Sequence, residues 1–347
     1  MKEFAIFMET SPILLSPPKD VQAAKAVVKQ WLAEPRLGAQ LAPTLLAQDA
    51  EWHCSHPVNV LSGRDAIVET WVNALTTAFK GIERRTDIFM AGGFDGRFVG
   101  GSGIWVAAIG HYVGIFEAPL WGIRAHGRTA FLRFGEFYRV VNGQIVEARI
   151  LVDLVDLLRQ TGIDVLPKSP GADILVPGPA DHSGMLFSPQ EEATTQATID
   201  RVMEMFYALA RFDGKNLDTM GMNEHWSENM MWYGPCGIGT ARRVSGFQDH
   251  HQRPFLHAFP DRVGGNHRAR IAEGRYMAST GWPSVRATHS GDYLGAPATH
   301  KPIGMRVMDW WRVTDETIAE NWVLIDLPEL LLQMGVDVLE RARSASR

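Results

Sequence analysis

Two aspartates head closely similar stretches of this 347-residue chain: Asp326 in DLPELLLQMGVDVL and Asp153 in DLVDLLRQTGIDVL. A carboxylate shielded from water has its pKa lifted toward neutrality, so it can take a proton from carbon and return it elsewhere. The same residues also suit helix N-caps, with Glu329 and Asp156 three positions on. Upstream of Asp326, carboxylates mingle with large aromatics: Asp309, Trp311, Glu320 and Trp322. Asp309 and Glu320 could hold a substrate carbonyl or hydroxyl, or pair with nearby arginines; the two tryptophans could be pocket wall or core. Trp232 and Tyr233 follow the same logic, the phenol being able to donate to a developing enolate. Among twelve histidines, His250 is the candidate for a second acid/base group. No HExxH, paired CxxC or other zinc spacing occurs, so no metal is expected.

These residues sit in a repeat. Residues 130–166 and 303–339 register without a gap: Arg139 meets Arg312, Glu147 meets Glu320, Asp153 meets Asp326 and Gly162 meets Gly335. The chain is therefore a tandem duplication of strand, tight turn, strand and helix. Asn142-Gly143 between apolar alternating runs is a two-residue hairpin turn, and Asp315-Glu316 takes its place in the second copy. Unbroken pairing from that turn predicts one face carrying Val313/Ile318, Trp311/Glu320, Asp309/Trp322, Val307/Leu324 and Met305/Asp326. In the first copy it sets Arg149 opposite Glu136, an ion pair. A face mixing aromatics with carboxylates reads as a cavity lining, since unpaired buried charge is costly. The other face, with Arg306, Met308, Trp310, Arg312, Asn321, Val323 and Ile325, would suit an interface.

The order of elements is helices, then antiparallel strands, then a closing helix, twice over. That is an α+β plan rather than a doubly wound one. The expected layout is an arm over 1–18, a first domain over 19–165, a linker over 166–188 and a second domain over 189–342. The linker is rich in proline and glycine. Ser188-Pro189-Gln190-Glu191 reads as a capping box opening a long helix.

Composition bounds the function classes. Apolar residues are 46%, charged residues 21% and net charge is −5, which argues against a nucleic-acid surface. Two cysteines are too few for a disulfide framework, and a cytoplasmic setting is expected. The opening MKEFAIFMETSP, with Glu3 and Glu9, is a poor signal peptide, and no stretch reads as a membrane helix. No Walker A, complete GxGxxG or GxSxG motif occurs, which argues against nucleotide and serine-hydrolase chemistry.

Asp309-Trp310-Trp311-Arg312, then Ile318-Ala319-Glu320-Asn321-Trp322, then Asp326 resemble the closing D-x-x-R, I-x-E-x-W-x-x-x-D pattern of the SnoaL-like branch of the NTF2-like superfamily. Trp232-Tyr233-Gly234-Pro235 resembles that family's W-x-G-P. The resemblance covers 190–341 well and 20–166 mainly through its hairpin, where Trp52-His53-Cys54-Ser55 replaces the W-x-G-P element. It implies two cone-shaped domains, each a curved antiparallel sheet wrapped around helices. It also implies proton-transfer chemistry without a cofactor, with Asp326, and by the repeat Asp153, as acid/base. Together these readings point to a cyclase, isomerase or lyase acting on a hydrophobic aromatic or polycyclic small molecule, in the second domain. The alternative is a non-catalytic binding or assembly module, an internal pseudo-dimer or a homo-oligomer joined through sheet faces.

Overall fold

The computed structural model describes residues 13–96, 101–264 and 267–345, so residues 1–12 of the expected arm lie outside the described residues. In the first copy, apolar residues at helical spacing make Pro18–Leu32 a helix with Val21, Ala24, Val28, Trp31 and Leu32 buried. Pro18 fills its first position, where no N–H is needed. A short helix, Gly38–Leu45, and a longer helical stretch, 64–78, follow. The strands are β1 (Ile13–Leu14), β2 (Leu46–Cys54), β3 (Val60–Ser62), β4 (Phe79–Phe94), β5 (Gly103–Phe116), β6 (Thr129–Val141) and β7 (Gln144–Val152), ordered β1-β4-β5-β6-β7-β2-β3.

The second copy repeats this plan. Its helices are Glu192–Leu209 and the stretch 243–258. The two longer stretches share an irregularity, a π-helical turn at Val68–Val72 in one and at Gln248–Gln252 in the other. Its strands are β8 (Trp226–Tyr233), β9 (Thr240–Arg242), β10 (Val263–Gly264), β11 (His267–Glu273), β12 (Tyr276–Thr288), β13 (Pro302–Thr314) and β14 (Thr317–Ile325). The order is β10-β12-β13-β14-β8-β9, with β11 also on β12. Each sheet bends around its own helices into a cone, helped by register shifts that put bulges in the long strands.

The hairpins form at the expected turns. Asn142 and Gly143, and likewise Asp315 and Glu316, all have positive φ, as a two-residue hairpin turn of this hand requires. Val313 pairs with Ile318 as expected, but the next pair is Arg312 with Glu320. Ala319 is an extra residue, and Val146 is the same bulge in the first copy, where Val140 pairs with Ile145 and Arg139 with Glu147. One extra residue turns every later side chain on that strand to the other face. This corrects the faces expected above. Trp310 pairs with Trp322 and Trp311 with Asn321, while Phe137, not Glu136, meets Arg149. Arg149 bonds Glu147 instead.

Two apolar cores result. One fills the cones, where inner sheet residues such as Phe134, Tyr138, Trp311, Val323 and Ile325 meet the helices. The other lies between the two sheets and joins Ile109, Phe137 and Leu151 to Met308, Trp310, Trp322 and Leu324. The Phe137 and Trp310 rings meet at 5.1 Å, tilted by 42°, across this seam. At Gly135 a Cβ would come within 2.8 Å of both Leu324 and Trp310, so the sheets approach this closely only over a glycine. The expected pairing of sheet faces is thus made within the chain, with Val323 and Ile325 turned into the cone by the bulge.

The proline-rich connection straps the seam. Ala172 exchanges backbone hydrogen bonds with Thr240, and Phe89 does so with Gly184 and Leu186. Trp322 donates its indole N–H to Pro177 O at 2.9 Å, and Arg312 bonds Asp181 at 3.0 Å. The next helix starts at Glu192, with Glu191 at the N-cap position but making no side-chain cap, and the capping box expected at Ser188 does not form. Buried Lys25 on the first helix completes the strap, bonding Leu186 O and Glu273 of the second copy. Among the described residues no helix is long and apolar enough to cross a membrane.

Candidate functional site

The inner wall of the second cone collects polar groups from three adjacent strands. Asp309 on β13 pairs across to Ser279 on β12, which pairs to Arg270 on β11. Alternation sets all three on the inner face, beside Trp311. Ser279 Oγ and His267 Nδ1 are 2.8 Å apart. Asn321 Nδ2 reaches Asp309 Oδ1 at 3.5 Å. The opposite wall comes from the Glu192–Leu209 helix: the Phe206 ring lies 4.7 Å from the Arg270 guanidinium and edge-on to Trp311 at 5.2 Å. Trp232 on β8 closes the side, with His251 stacked on it at 4.5 Å and Phe255 beyond.

The titrating groups of this wall are shifted in opposite directions. Asp309 is half-buried and, among the described residues, takes no ion-pair contact at bonding distance. Loss of water raises its carboxyl to about 7, with Asn321 and the Arg270 charge pulling only partly back. Burial lowers His251 to about 4 and holds His267 well below its usual value, so both imidazoles are neutral near pH 7. Asp309 on this wall thus has a carboxyl raised close to neutrality.

The repeat puts Glu136 at the matching place in the first cone, with a different outcome. Arg84 bonds it, and Tyr112 and Tyr138 donate to it at 2.6 and 2.9 Å. Both of its oxygens are thus taken up by three donors inside the first cone. Above it lies a cleft of about 340 Å³, partly open to solvent, walled by Trp31, Trp52, Trp71 and Leu75.

Asp326 and Asp153 sit at the seam. Each caps its helix, Oδ1 accepting from Glu329 N at 3.4 Å and from Asp156 N at 3.0 Å. Each also reaches the opposite copy: Oδ2 of Asp326 accepts from His56 N at 2.9 Å, and Oδ2 of Asp153 from Cys236 N at 2.8 Å. Arg306 adds a bond to Asp326 at 3.0 Å. Burial raises both carboxyls to about 6. A polar cleft of about 300 Å³ opens beside Asp153, lined also by His111, Arg133 and Asp173.

Of the residues singled out from sequence, the structure places Trp232, Asp309 and Trp311 on the inner face of the second sheet. Tyr233, Glu320 and Trp322 lie in the sheet-to-sheet seam instead. Tyr233 stacks on Trp322 at 5.3 Å and donates to Glu320, which also takes Arg312 at 2.6 Å. The physical reason is the bulge at Ala319 for Glu320 and Trp322, and strand alternation for Tyr233 next to Trp232. His250 lies on the helix wall beside His251, its Nδ1 buried without a partner. Arg270, His267, Ser279, Arg84 and Tyr112 were missed; Arg84 lies in the charged run Glu83-Arg84-Arg85 and Arg270 close to Arg268, where the sequence does not mark which side chain turns inward. Among the described residues no three His, Cys, Asp or Glu side chains are placed to hold a metal ion.

Residues 36–161 and 200–334 both match the SnoaL-like polyketide cyclase family. The chain belongs to that family, as two consecutive copies. No curated protein matches it. Similar solved structures each cover one copy. AclR from Streptomyces galilaeus is 24% identical over 41% of this chain and 97% of its own, with a TM-score of 0.33. IdmH from Streptomyces antibioticus is 25% identical over 38% and 97%, TM-score 0.32. A SnoaL-like protein from Jannaschia sp. CCS1 is 15% identical over 44% and 100%, TM-score 0.35. As a SnoaL-like chain, this one has the two mixed α+β cones expected from sequence.

Proposed function

We propose that the second cone is the working site of a cyclase-type enzyme that moves a proton to and from carbon in an aromatic or polycyclic substrate, without a cofactor. One observation carries the reading: a carboxyl on the inner face of the second cone, two residues from Trp311 and paired across to Ser279, is raised by burial to about 7. Asp309 is the acid/base. Its pKa near the working pH balances the fraction present as base against proton affinity. Arg270 and the Ser279 hydroxyl would meet oxygen charge developing as the proton leaves carbon. Trp232, Trp311 and Phe206 would hold a flat substrate with few rotamers to freeze. Asp326 and Asp153 are helix caps that also tie the copies together.

The test is deuterium exchange at C1 of 2-tetralone in D₂O, followed by NMR. Wild-type exchange should rise with pH through about 7. Asp309→Asn should lower it about 10²-fold or more, the usual range for a lost general base. Asp326→Asn should stay within about threefold, because Asn still caps a helix. Loss of exchange in Asp326→Asn with Asp309→Asn unaffected would move the chemistry to the seam, where the family motif puts it. Exchange indifferent to both changes, in a protein sensitive instead to Trp310, would favour the assembly reading, which the two packed sheets support.

A further inference from the structure

Asp309 has a neighbour on the inner wall that the proposed chemistry leaves without a part. Asn321 lies on β14, directly across the ladder from Trp311. Asp309, two residues before Trp311, is therefore its diagonal neighbour. Asn321 is only 3% exposed. Its Nδ2 lies 3.0 Å from Trp310 O and 3.5 Å from Asp309 Oδ1. A backbone carbonyl can only accept, so the amide atom facing Trp310 O must be the nitrogen. The two hydrogens of that nitrogen then serve the two oxygens. Among the described residues this is the one hydrogen bond to the Asp309 carboxyl, and Oδ2 takes none.

The geometry distinguishes the two oxygens of Asp309. An amide N–H donates and does not accept, so the oxygen it faces is one without a proton. Oδ1 keeps its lone pairs for Asn321 whether Asp309 is charged or neutral, and a proton on this carboxyl sits on Oδ2. The first copy shows the same wall without the amide. Ala148 stands at the matching place, paired with Tyr138. Glu136 takes its bonds from Arg84, Tyr112 and Tyr138 instead, and both of its oxygens are engaged. Asparagine thus goes with a carboxyl that keeps one oxygen open, and alanine with a carboxyl that keeps none.

We infer that Asn321 is the positioning residue of Asp309: held by Trp310 O, it fixes Oδ1 as an acceptor and leaves Oδ2 as the oxygen that takes a proton from carbon and returns it. The C–H electron pair stays on the substrate as an enolate, and the same oxygen hands a proton back to that carbon. The inference rests on Asp309 being the acid/base of the proposed function.

The test is deuterium exchange at C1 of 2-tetralone by the full chain, followed between about pH 5 and pH 9. The Asn321 bond favours the charged carboxylate. Asn321→Ala should therefore move the midpoint of the pH–rate profile above the wild-type value of about 7, by about one pH unit, the weight of one weak hydrogen bond to a charged group. The plateau rate should fall about tenfold, because the base is no longer aimed. Alanine is accepted at this place in the first copy, and a midpoint does not depend on how much of the protein is folded. Asn321→Ser, which keeps a donor, should bring the midpoint back toward wild type. A residue that only packs would change the rate and leave the midpoint alone. Denaturant titrations read the same carboxyl without substrate, and the pH range over which stability is lost should rise equally in Asn321→Ala. Exchange that Asp309→Asn removes, with an unmoved midpoint in Asn321→Ala, overturns this inference and leaves the acid/base reading standing. Exchange absent from the wild type, or untouched by Asp309→Asn, overturns that reading and this inference with it.

Discussion

Asp309 and Glu136 occupy matching places in two related cones, and their surroundings give them opposite characters. Glu136 has Arg84 and two phenols at bonding distance; Asp309 has one amide at 3.5 Å. Keeping Asp309 unpaired should weaken the fold where the carboxyl is charged. Its pKa is about 7 folded against 3.8 in the ordinary aspartate, so the folded chain holds a proton that the unfolded chain releases. The associated stability is full below about pH 3.8 and is lost as pH rises through about 7. Asp309→Asn removes that dependence. The variant should match or fall slightly below wild type at pH 4 and exceed it at pH 8, by on the order of 3 kcal/mol. Denaturant titrations of both proteins at the two pH values check this. A stability difference that stays flat with pH would show that the carboxyl titrates as an ordinary one.

The hairpin shows what could be read from the sequence and what could not. Both turns were legible because a two-residue hairpin needs positive φ, and Asn-Gly announces it. The second copy meets the same demand with Asp315 at φ 48° and Glu316 at φ 60°. A non-glycine residue held there costs about 1–2 kcal/mol. Replacing Asp315-Glu316 by Asn-Gly should therefore stabilise the chain by about 1 kcal/mol, and Gly143→Glu should destabilise it by a similar amount; shifts in denaturation midpoint test both. The bulge two pairs further on was not legible. Val146 and Ala319 are ordinary strand residues, and this kind of bulge requires no particular side chain. The missed step sent Glu320 and Trp322 to the seam. Residues before the bulge, Asp309 and Trp311 among them, keep their alternation along one strand and stay on the inner face of the cone. The fold class was legible from the repeat, which needs only element order. The inner wall of β11 and β12 was not, because Arg270 and Ser279 belong to no repeated motif.

Across the whole molecule the two copies hold each other by the same device used twice. Asp153 and Arg133 of one grip the loop after β8, at Cys236 N and Gly234 O. Asp326 and Arg306 of the other grip the loop after β2, at His56 N and Cys54 O. A dimer of identical domains would make such contacts in symmetric pairs, and the tandem chain has kept both halves. The motif aspartate thus makes a cross-seam contact in each copy. Asp326→Ala should cost about 3 kcal/mol, because it removes a cap and strands the buried His56 N–H. Asp326→Asn, which retains an acceptor, should cost about 1 kcal/mol. Asp153→Ala should behave as Asp326→Ala does. If the sheets part as one unit, opening either end releases much of the strain of opening the other, so the double change should cost less than the two single changes together. A double-mutant cycle from denaturant titrations measures that coupling. Strictly additive costs would mean that the two ends act independently and that the seam does not open as one unit.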